Sequence, residues 1–250
     1  MRAWKIYDDL IDKMPEDLRV IDCLVGLHWT LVRSEWGTGA AMTIKGGLAG
    51  EKLDNITRMP LKRLAAYIKS WDLVQASLGQ AAINSVLNTP GHFHQLTGNS
   101  VEEVDSEAAN GFKQFLPEIT GKKVAVIGHF PGIESLAAIC RLSIIERVPQ
   151  EGDYPDPASE FLLPAQDYVF LSGTTFINKT LPRLIELSRN AKTILVGPSV
   201  PMSPVLFDYG VEAIAGMVVV DEALSWRVIK EGGKMKAFKQ SGRMVCIRRQ

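Results

Sequence analysis

The chain has 250 residues, of which 46% are hydrophobic and 22% are charged, and it carries 28 basic and 28 acidic side chains. This composition predicts a folded protein of one or two domains and excludes a disordered chain. A net charge of zero argues against a nucleic-acid partner, because proteins that follow a phosphate backbone usually carry a basic excess. The three cysteines lie far apart, which excludes a disulfide-rich secreted scaffold.

No apolar stretch approaches the ~20 residues that a membrane helix needs. The first fourteen residues mix acidic and basic side chains and lack the apolar segment of a signal peptide. We therefore expect a cytoplasmic protein with no membrane partner.

The first 95 residues predict a small α+β unit. Its expected elements are a helix, a strand pair, a third strand, a short helix and a longer helix, over residues 3–14, 19–33, 40–44, 61–68 and 73–87. Asp72 is a suitable N-cap for the longer helix, and the Ala, Ser and Gly content of that helix predicts close packing against it. Residues 91–102 predict a loop, and residues 103–116 predict an amphipathic helix.

After Gly121 the pattern changes to apolar strands that alternate with helices. Strands are expected at 122–127, 142–147, 168–171, 193–196 and 213–220, with helices at 131–141, 180–190 and 221–230. Continuous apolar strands of this kind predict a parallel sheet that is covered on both faces. The predicted fold class is therefore α/β, with a Rossmann-like C-terminal domain (121–250), a helical connector (96–120) and a smaller α+β N-terminal domain (1–95).

Three loops with unusual content follow strands of the predicted sheet: Gly128–Gly132, Ser172–Thr180 and Gly197–Pro201. The carboxyl ends of parallel strands meet at one edge, where open α/β sheets bind their ligands. Hydroxyl, amide and imidazole groups at such an edge suit a polar or anionic small molecule. The sequence therefore predicts one site built from all three loops.

Several single residues have both a functional and a structural explanation. His129 lies at the predicted edge and is a candidate acid or base, with Thr175 as a candidate anion stabiliser. Thr180 is a candidate helix cap. Arg33 could reach an anion across a cleft between the domains, or could belong to a surface charge pair. Glu146 could bind a ribose, or could form an ion pair at a strand end.

His92 and His94 form a local histidine pair that could share one face of an extended segment and bind a metal. A capping or surface role is the alternative, since no acidic or thiol ligand lies at a suitable spacing. The loop Gly128–Gly132 departs from the dinucleotide pattern because Phe130 replaces its second glycine.

The segments GKKVAVIGHFPGIESL (121–136) and SGTTFINKT (172–180), together with VGPS (196–199), resemble the putative heavy-metal chelation family. The resemblance covers nearly the whole chain and implies an N-terminal domain similar to that of enolase, followed by a Rossmann-like domain. It also implies a ligand site in the cleft between the domains. The implied site residues are Gly128, His129, Pro131, Gly173, Thr174, Thr175, Asn178, Pro198 and Ser199. The resemblance suggests a metal ion or metal chelate as ligand without fixing which.

Three functions follow from these observations. The first is a small-molecule-binding protein or enzyme with a site in the cleft, for a metal chelate or an anionic metabolite. The second is a nucleotide- or S-adenosylmethionine-dependent enzyme, suggested by the first β-α-β unit and Glu146. The third is a non-catalytic homo-oligomer that assembles through the helix at 75–88.

Overall fold

A computed structural model describes residues 4–51, 53–105 and 109–249 of the chain. The α-helices are α1 (Lys5–Asp12), α2 (Leu61–Ala65), α3 (Leu73–Leu87), α4 (Pro90–Thr97), α5 (Leu116–Ile119), α6 (Ser159–Leu162), α7 (Thr174–Ile177), α8 (Leu181–Leu187), α9 (Glu222–Lys230) and α10 (Met235–Phe238). The strands are β1 (Asp22–Val25), β2 (Trp29–Arg33), β3 (Thr38–Met42), β4 (Lys123–Ile127), β5 (Arg141–Glu146), β6 (Tyr154–Pro155), β7 (Tyr168–Ser172), β8 (Lys192–Val196), β9 (Val211–Val219) and β10 (Gly242–Arg248).

The N-terminal half forms a three-stranded antiparallel sheet, β1-β2-β3, against which α3 packs. The Asp72 carboxylate caps α3 by accepting from the Val74 and Gln75 amides, as predicted. The small residues allow close approach: a Cβ on Gly39 of β3 would lie 2.0 Å from the Ser85 nitrogen of α3. Residues Gln75–Leu87 of α3 are all buried in the chain itself, so this helix has no exposed face for the predicted oligomer contact.

The C-terminal half forms a seven-stranded sheet in the order β10-β9-β8-β7-β4-β5-β6. Every pair is parallel except β9 with β10, so the predicted α/β fold with a mostly parallel sheet is confirmed. The chain leaves β4 in one direction to β5 and β6, and then returns to the other side of β4 at β7. The carboxyl ends of β4 and β7 therefore flank the point where strand order reverses, which is where such sheets bind ligands.

The two faces of the large sheet belong to different apolar clusters. Ala125 and Ile127 of β4 join α1, α2 and α3 in one continuous core, whereas Val124 and Val126 pack with Phe115 and its neighbours on the other face. This alternation follows the two-residue period of a strand. One face of the large sheet thus shares its core with the N-terminal half.

Several expected features differ in the structure. The predicted loop at 91–102 contains α4, which begins at Pro90 and is capped by the Thr89 hydroxyl. The predicted helix at 103–116 is wrong in its described part, where 3-10 turns at Val101–Glu103 and Lys113–Phe115 occur instead; residues 106–108 lie outside the described residues. Pro117 lies in the first turn of α5 and does not end a helix.

The predicted helix at 131–141 is a 3-10 helix over Ile133–Ala138, because Gly132 adopts a left-handed conformation (φ 75°) and breaks the turn after Pro131. Thr180 precedes α8 but has helical backbone angles, and its hydroxyl donates to Asn178 Oδ1 and makes no cap. In the described parts of the chain, none of the helices is long and apolar enough to cross a membrane.

Candidate functional site

The three predicted loops line one cavity at the carboxyl edge of the large sheet. Residues 128–131, 172–174 and 197–199 all contribute to it, and its volume is about 480 Å³. We call it the edge cavity. Its position follows from topology, because β4, β7 and β8 are adjacent parallel strands that end at the same edge.

Aromatic and methionine side chains supply much of the remaining wall. Trp29 and Met42 come from the N-terminal sheet, and Phe112 and Phe130 flank the strand ends. Phe112 and Phe130 pack edge to face, with ring centroids 5.1 Å apart. Sequence reasoning missed Trp29, Met42 and Phe112 because an apolar side chain in a cavity wall has the same sequence pattern as one in a core.

Phe130 lies across two of the glycine turns. A Cβ on Gly128 would lie 3.4 Å from Phe130 Cε2, and one on Gly197 would lie 3.7 Å from Cε1. Both glycines have positive φ, 104° and 113°, which side-chain-bearing residues rarely adopt. Phe130 stands where the dinucleotide-binding pattern has its second glycine. Its aromatic ring therefore lies beside the turns that follow β4 and β8.

His129 is held between two carboxylates. Its Nδ1 lies 2.9 Å from Asp153 Oδ2, and its Nε2 lies 2.8 Å from Glu134 Oε1, both within hydrogen-bond distance. The hydrogen bonds to Asp153 and then to Glu134 raise the pKa of the imidazole above its usual value. Both ring nitrogens have a carboxylate partner, so the side chain of His129 is fixed in the cavity wall and neither nitrogen is free for acid–base chemistry on a ligand.

The Glu146 carboxylate accepts from three backbone amides. Its Oε2 accepts from His129 N at 2.8 Å, and its Oε1 accepts from Arg147 N at 2.6 Å and, at 3.4 Å, from a third amide, Val148 N. In a dinucleotide-binding fold, the acid that ends the second strand binds ribose hydroxyls. Here ribose hydroxyls would have to compete with backbone donors, which weakens the case for a nucleotide.

The loop after β8 is fixed by the buried side-chain amide of Asn88, the residue that directly follows α3. Asn88 Nδ2 donates to Val200 O and Met217 O at 2.8 and 3.1 Å, and Asn88 Oδ1 accepts from Met202 N. Ser199 Oγ accepts from Met42 N at 2.9 Å, so the predicted site residue Ser199 also ties this loop to β3. Pro198 lines the edge cavity beside it.

The polar segment 172–180 is divided between two cavities. Ser172 and Gly173 line the edge cavity, and Thr174 lines both. Thr175 and Asn178 line a second cavity of about 440 Å³, which we call the lysine cavity because Lys179 also lines it. The Thr175 hydroxyl donates to Ser172 O, and Asn178 Oδ1 accepts from Thr180, so these groups stabilise the local turn.

Arg33 and the histidine pair lie outside both cavities. The Arg33 guanidinium carbon lies 5.9 Å from the Trp226 ring centroid. His92 and His94 are on α4, where residues two apart point in different directions, so the predicted shared face does not form. His92 Nε2 bonds to Met202 O, and burial lowers the pKa of His92.

The described side chains do not fit a tightly bound bare metal ion. Among residues 4–51, 53–105 and 109–249, no group of three His, Cys, Asp or Glu side chains could hold one. His129, Asp153 and Glu134 are close together, but the two carboxylates lie at different nitrogens of one ring and do not converge on a common point.

Comparisons with known proteins agree with this fold. Two family models, both described as putative heavy-metal chelation, match residues 7–87 and 110–248. An uncharacterized protein of Methanocaldococcus jannaschii is 30% identical over 96% of this chain and 93% of its own.

Two crystal structures of proteins of unknown function from the same family are also similar. That from Desulfitobacterium hafniense is 40% identical, with a TM-score of 0.87, over 99% of this chain and 98% of its own. That from Pyrococcus horikoshii is 21% identical, with a TM-score of 0.79 over the whole of both chains, and supports the fold. On these matches, the chain belongs to the putative heavy-metal chelation family.

Proposed function

We propose that the protein binds a small organic molecule in the edge cavity, between the N-terminal and C-terminal halves, and that any metal arrives as part of that molecule. The observation that carries the proposal is the convergence of three loops on one cavity with aromatic walls. A volume of about 480 Å³ falls in the usual range for small-molecule sites.

The wall chemistry favours a ligand with an apolar ring and a polar edge. Trp29, Phe112 and Phe130 offer ring faces and edges, whereas Ser172 and Thr174 offer hydroxyls at the strand ends. The charges of the lining are mixed, since it includes Lys239 and His129 as well as Glu146. A bare cation would find no preformed ligand set here, but a chelate supplies its own donors.

The test separates the organic ligand from the ion. We expect phenanthroline, a flat aromatic chelator, or its zinc complex to raise the unfolding temperature, whereas zinc chloride alone leaves it unchanged. Stabilisation should grow with probe concentration, because binding to the folded state adds about RT ln(1 + [L]/Kd). Stabilisation by zinc alone, with no effect of either organic probe, would contradict the proposal.

Two matched variants locate the binding. Phe130→Ala removes the ring over the Gly128 and Gly197 turns and should weaken probe binding by about tenfold, as expected for loss of an aromatic contact of ~1.4 kcal/mol. Phe161→Ala makes the same chemical change at a ring that is 82% exposed and should bind as the unmodified protein does. Lys239→Gln tests the rim charge without altering a buried residue.

A further inference from the structure

The lysine cavity adjoins the edge cavity at the same edge of the large sheet. Three residues line both cavities: Gly128, Glu146 and Thr174. Gly128 has no side chain, and the Glu146 carboxylate is held by backbone amides. No side chain of residue 128 separates the two cavities, so a ligand in one of them can extend past this position into the other.

The arginines that line the lysine cavity are paired with carboxylates. Arg147 Nε donates to Asp156 Oδ2 at 2.9 Å. Arg183 donates to Glu160 Oε2 at 2.6 Å and to Glu186 Oε2 at 2.8 Å. The two arginines therefore offer a ligand little uncompensated positive charge.

Lys179 also lines the cavity, but the partners of its amine lie outside the lining. Its Nζ donates to the backbone oxygens of Ser70 and Ile177 and lies 5.7 Å from the Trp71 ring centroid. None of these three partners lines the cavity. Among the described residues of the lining, the cationic groups are thus satisfied by protein groups, which favours an uncharged part of a ligand.

Neutral polar side chains at α7 and in the turn after it supply hydrogen-bonding capacity. Asn178 Oδ1 accepts from Thr180 N at 3.1 Å and from Thr180 Oγ1 at 2.7 Å, and both residues line the cavity. Among the described residues, none accepts from Asn178 Nδ2, which keeps two N–H donors for a ligand. Thr174 Oγ1 shares one hydrogen bond of 2.9 Å with Ser172 Oγ, and a hydroxyl in one such bond can form another.

The rest of the lining includes an apolar surface. Ile127 and Ile145 come from β4 and β5, and Leu184 and Leu187 come from α8 and its end. Small-molecule sites commonly combine such an apolar wall with a few polar groups that fix the orientation of the ligand. A hydroxylated carbon chain matches both features, because its C–H groups can pack on the aliphatic side chains while its hydroxyls bond to amide and hydroxyl groups.

We propose that the ligand of the edge cavity carries an uncharged polyhydroxylated chain, which passes Gly128 and lies in the lysine cavity. This inference rests on the proposed function, because the aromatic part of the same molecule occupies the edge cavity. Hydroxyls of the chain accept from Asn178 Nδ2 and bond to Thr174, and its carbon atoms pack on Leu184 and Leu187. The ligand class is therefore an aromatic compound with a neutral, sugar-derived side chain, and not the phosphate ester of that compound.

Three flavins test the proposal, because they share one ring system and differ only in the side chain. Lumiflavin carries a methyl group, riboflavin a neutral ribityl chain, and riboflavin phosphate the same chain with a phosphate. Equilibrium dialysis against the full-length protein measures the three Kd values. We expect riboflavin to bind at least about tenfold more tightly than lumiflavin, as expected for one or two net hydrogen bonds of the chain. Riboflavin should also bind more tightly than riboflavin phosphate.

Leu187→Trp tests where the chain lies. The larger side chain fills part of the lysine cavity and should reduce the affinity for riboflavin to that for lumiflavin. The affinity for lumiflavin should not change, which also shows that the variant is folded. Leu48→Trp makes the same chemical change at a leucine that is 70% exposed and lines neither cavity, and it should keep the tighter binding of riboflavin.

Four results would overturn the proposal. Riboflavin could bind no more tightly than lumiflavin, riboflavin phosphate could bind as tightly as riboflavin, or the tighter binding of riboflavin could survive in Leu187→Trp. The fourth is that neither lumiflavin nor riboflavin binds. None of these results changes the outcome with phenanthroline and zinc, which tests the edge cavity alone, so this inference and the proposed function fail separately.

Discussion

His129 shows how one side chain acquires a role that its residue type alone does not determine. A histidine at a strand end is a natural candidate for acid–base chemistry, but here the side chain of Asp153 (1% exposed) and that of Glu134 (60% exposed) take both nitrogens. The imidazolium therefore links the loop that begins at Gly128 to the turn that contains Asp153. Its contribution is to hold the cavity wall in place.

This link predicts a pH dependence of stability. Because the folded pKa of His129 is raised, the stabilisation is complete below the unfolded value of about 6.5 and is lost as pH rises through the folded value. His129→Gln should remove this pH-dependent loss of stability. The measurement is the free energy of unfolding in urea at a series of pH values between about pH 6 and pH 8. His94→Gln, on an exposed residue of α4, should retain it. If the free energy of unfolding falls equally steeply with pH in His129→Gln and in the unmodified protein, the link does not stabilise the fold.

Asn88 is a single residue whose removal exposes several buried backbone groups. Asn88→Ala would leave Val200 O, Met217 O and Met202 N without their partner. We expect a loss of about 2–4 kcal/mol in the free energy of unfolding, because each unsatisfied buried group costs about 1–3 kcal/mol and some relaxation occurs. Asn99→Ala, at an exposed loop position, should change stability by less than about 0.5 kcal/mol. A similar small change for Asn88→Ala would show that the loop after β8 does not depend on this amide.

Helix α3 is the element that joins the two halves. Its close packing can be tested by a substitution at Gly79, with Gly91 of α4 as the control. A Cβ on Gly79 would lie 2.1 Å from the Ile68 nitrogen, so Gly79→Ala should destabilise by about 2 kcal/mol or more despite its better helix propensity. Gly91 in α4 has open space around its Cα, and Gly91→Ala should stabilise by about 0.5 kcal/mol. Stabilisation by both substitutions, measured by urea unfolding, would contradict the tight contact.

The sequence predicted α3, its Asp72 cap and most strands of the large sheet because these elements have strong local signals. It did not predict α4, although Thr89 and Pro90 are a standard helix start, because residues 91–102 carry turn residues and no clear helical period. The 3-10 turn at Ile133–Ala138 has an apolar spacing close to that of an α-helix, so only the left-handed Gly132 distinguishes the two.

The loops that line the edge cavity were predictable from the sequence, but the other residues of its wall were not. The topology of a parallel sheet determines that the loops after β4, β7 and β8 meet, and their residues can be taken from the sequence. Trp29, Met42 and Phe112 come from other elements, and their place depends on how the two halves pack. The pairing of His129 with Asp153, 24 residues away, likewise depends on tertiary structure.

At the level of the whole molecule, the two halves share one core and both contribute to the edge cavity. Trp29 and Met42 of the N-terminal sheet face the same space as the loops of the C-terminal sheet. A ligand in that space would contact both halves, so binding should resist their separation. Because such a ligand binds only the folded arrangement of both halves, its binding should raise the free energy of unfolding of the whole chain.

Native mass spectrometry, with elemental analysis, of protein purified without denaturation from the organism that encodes it tests this account most directly. The account predicts an organic molecule bound at one per chain, with metal present only together with that molecule. The bound molecule should be retained by Phe161→Ala and recovered in a clearly lower amount from Phe130→Ala. A bare metal ion retained equally by both variants, with no organic species, would contradict it.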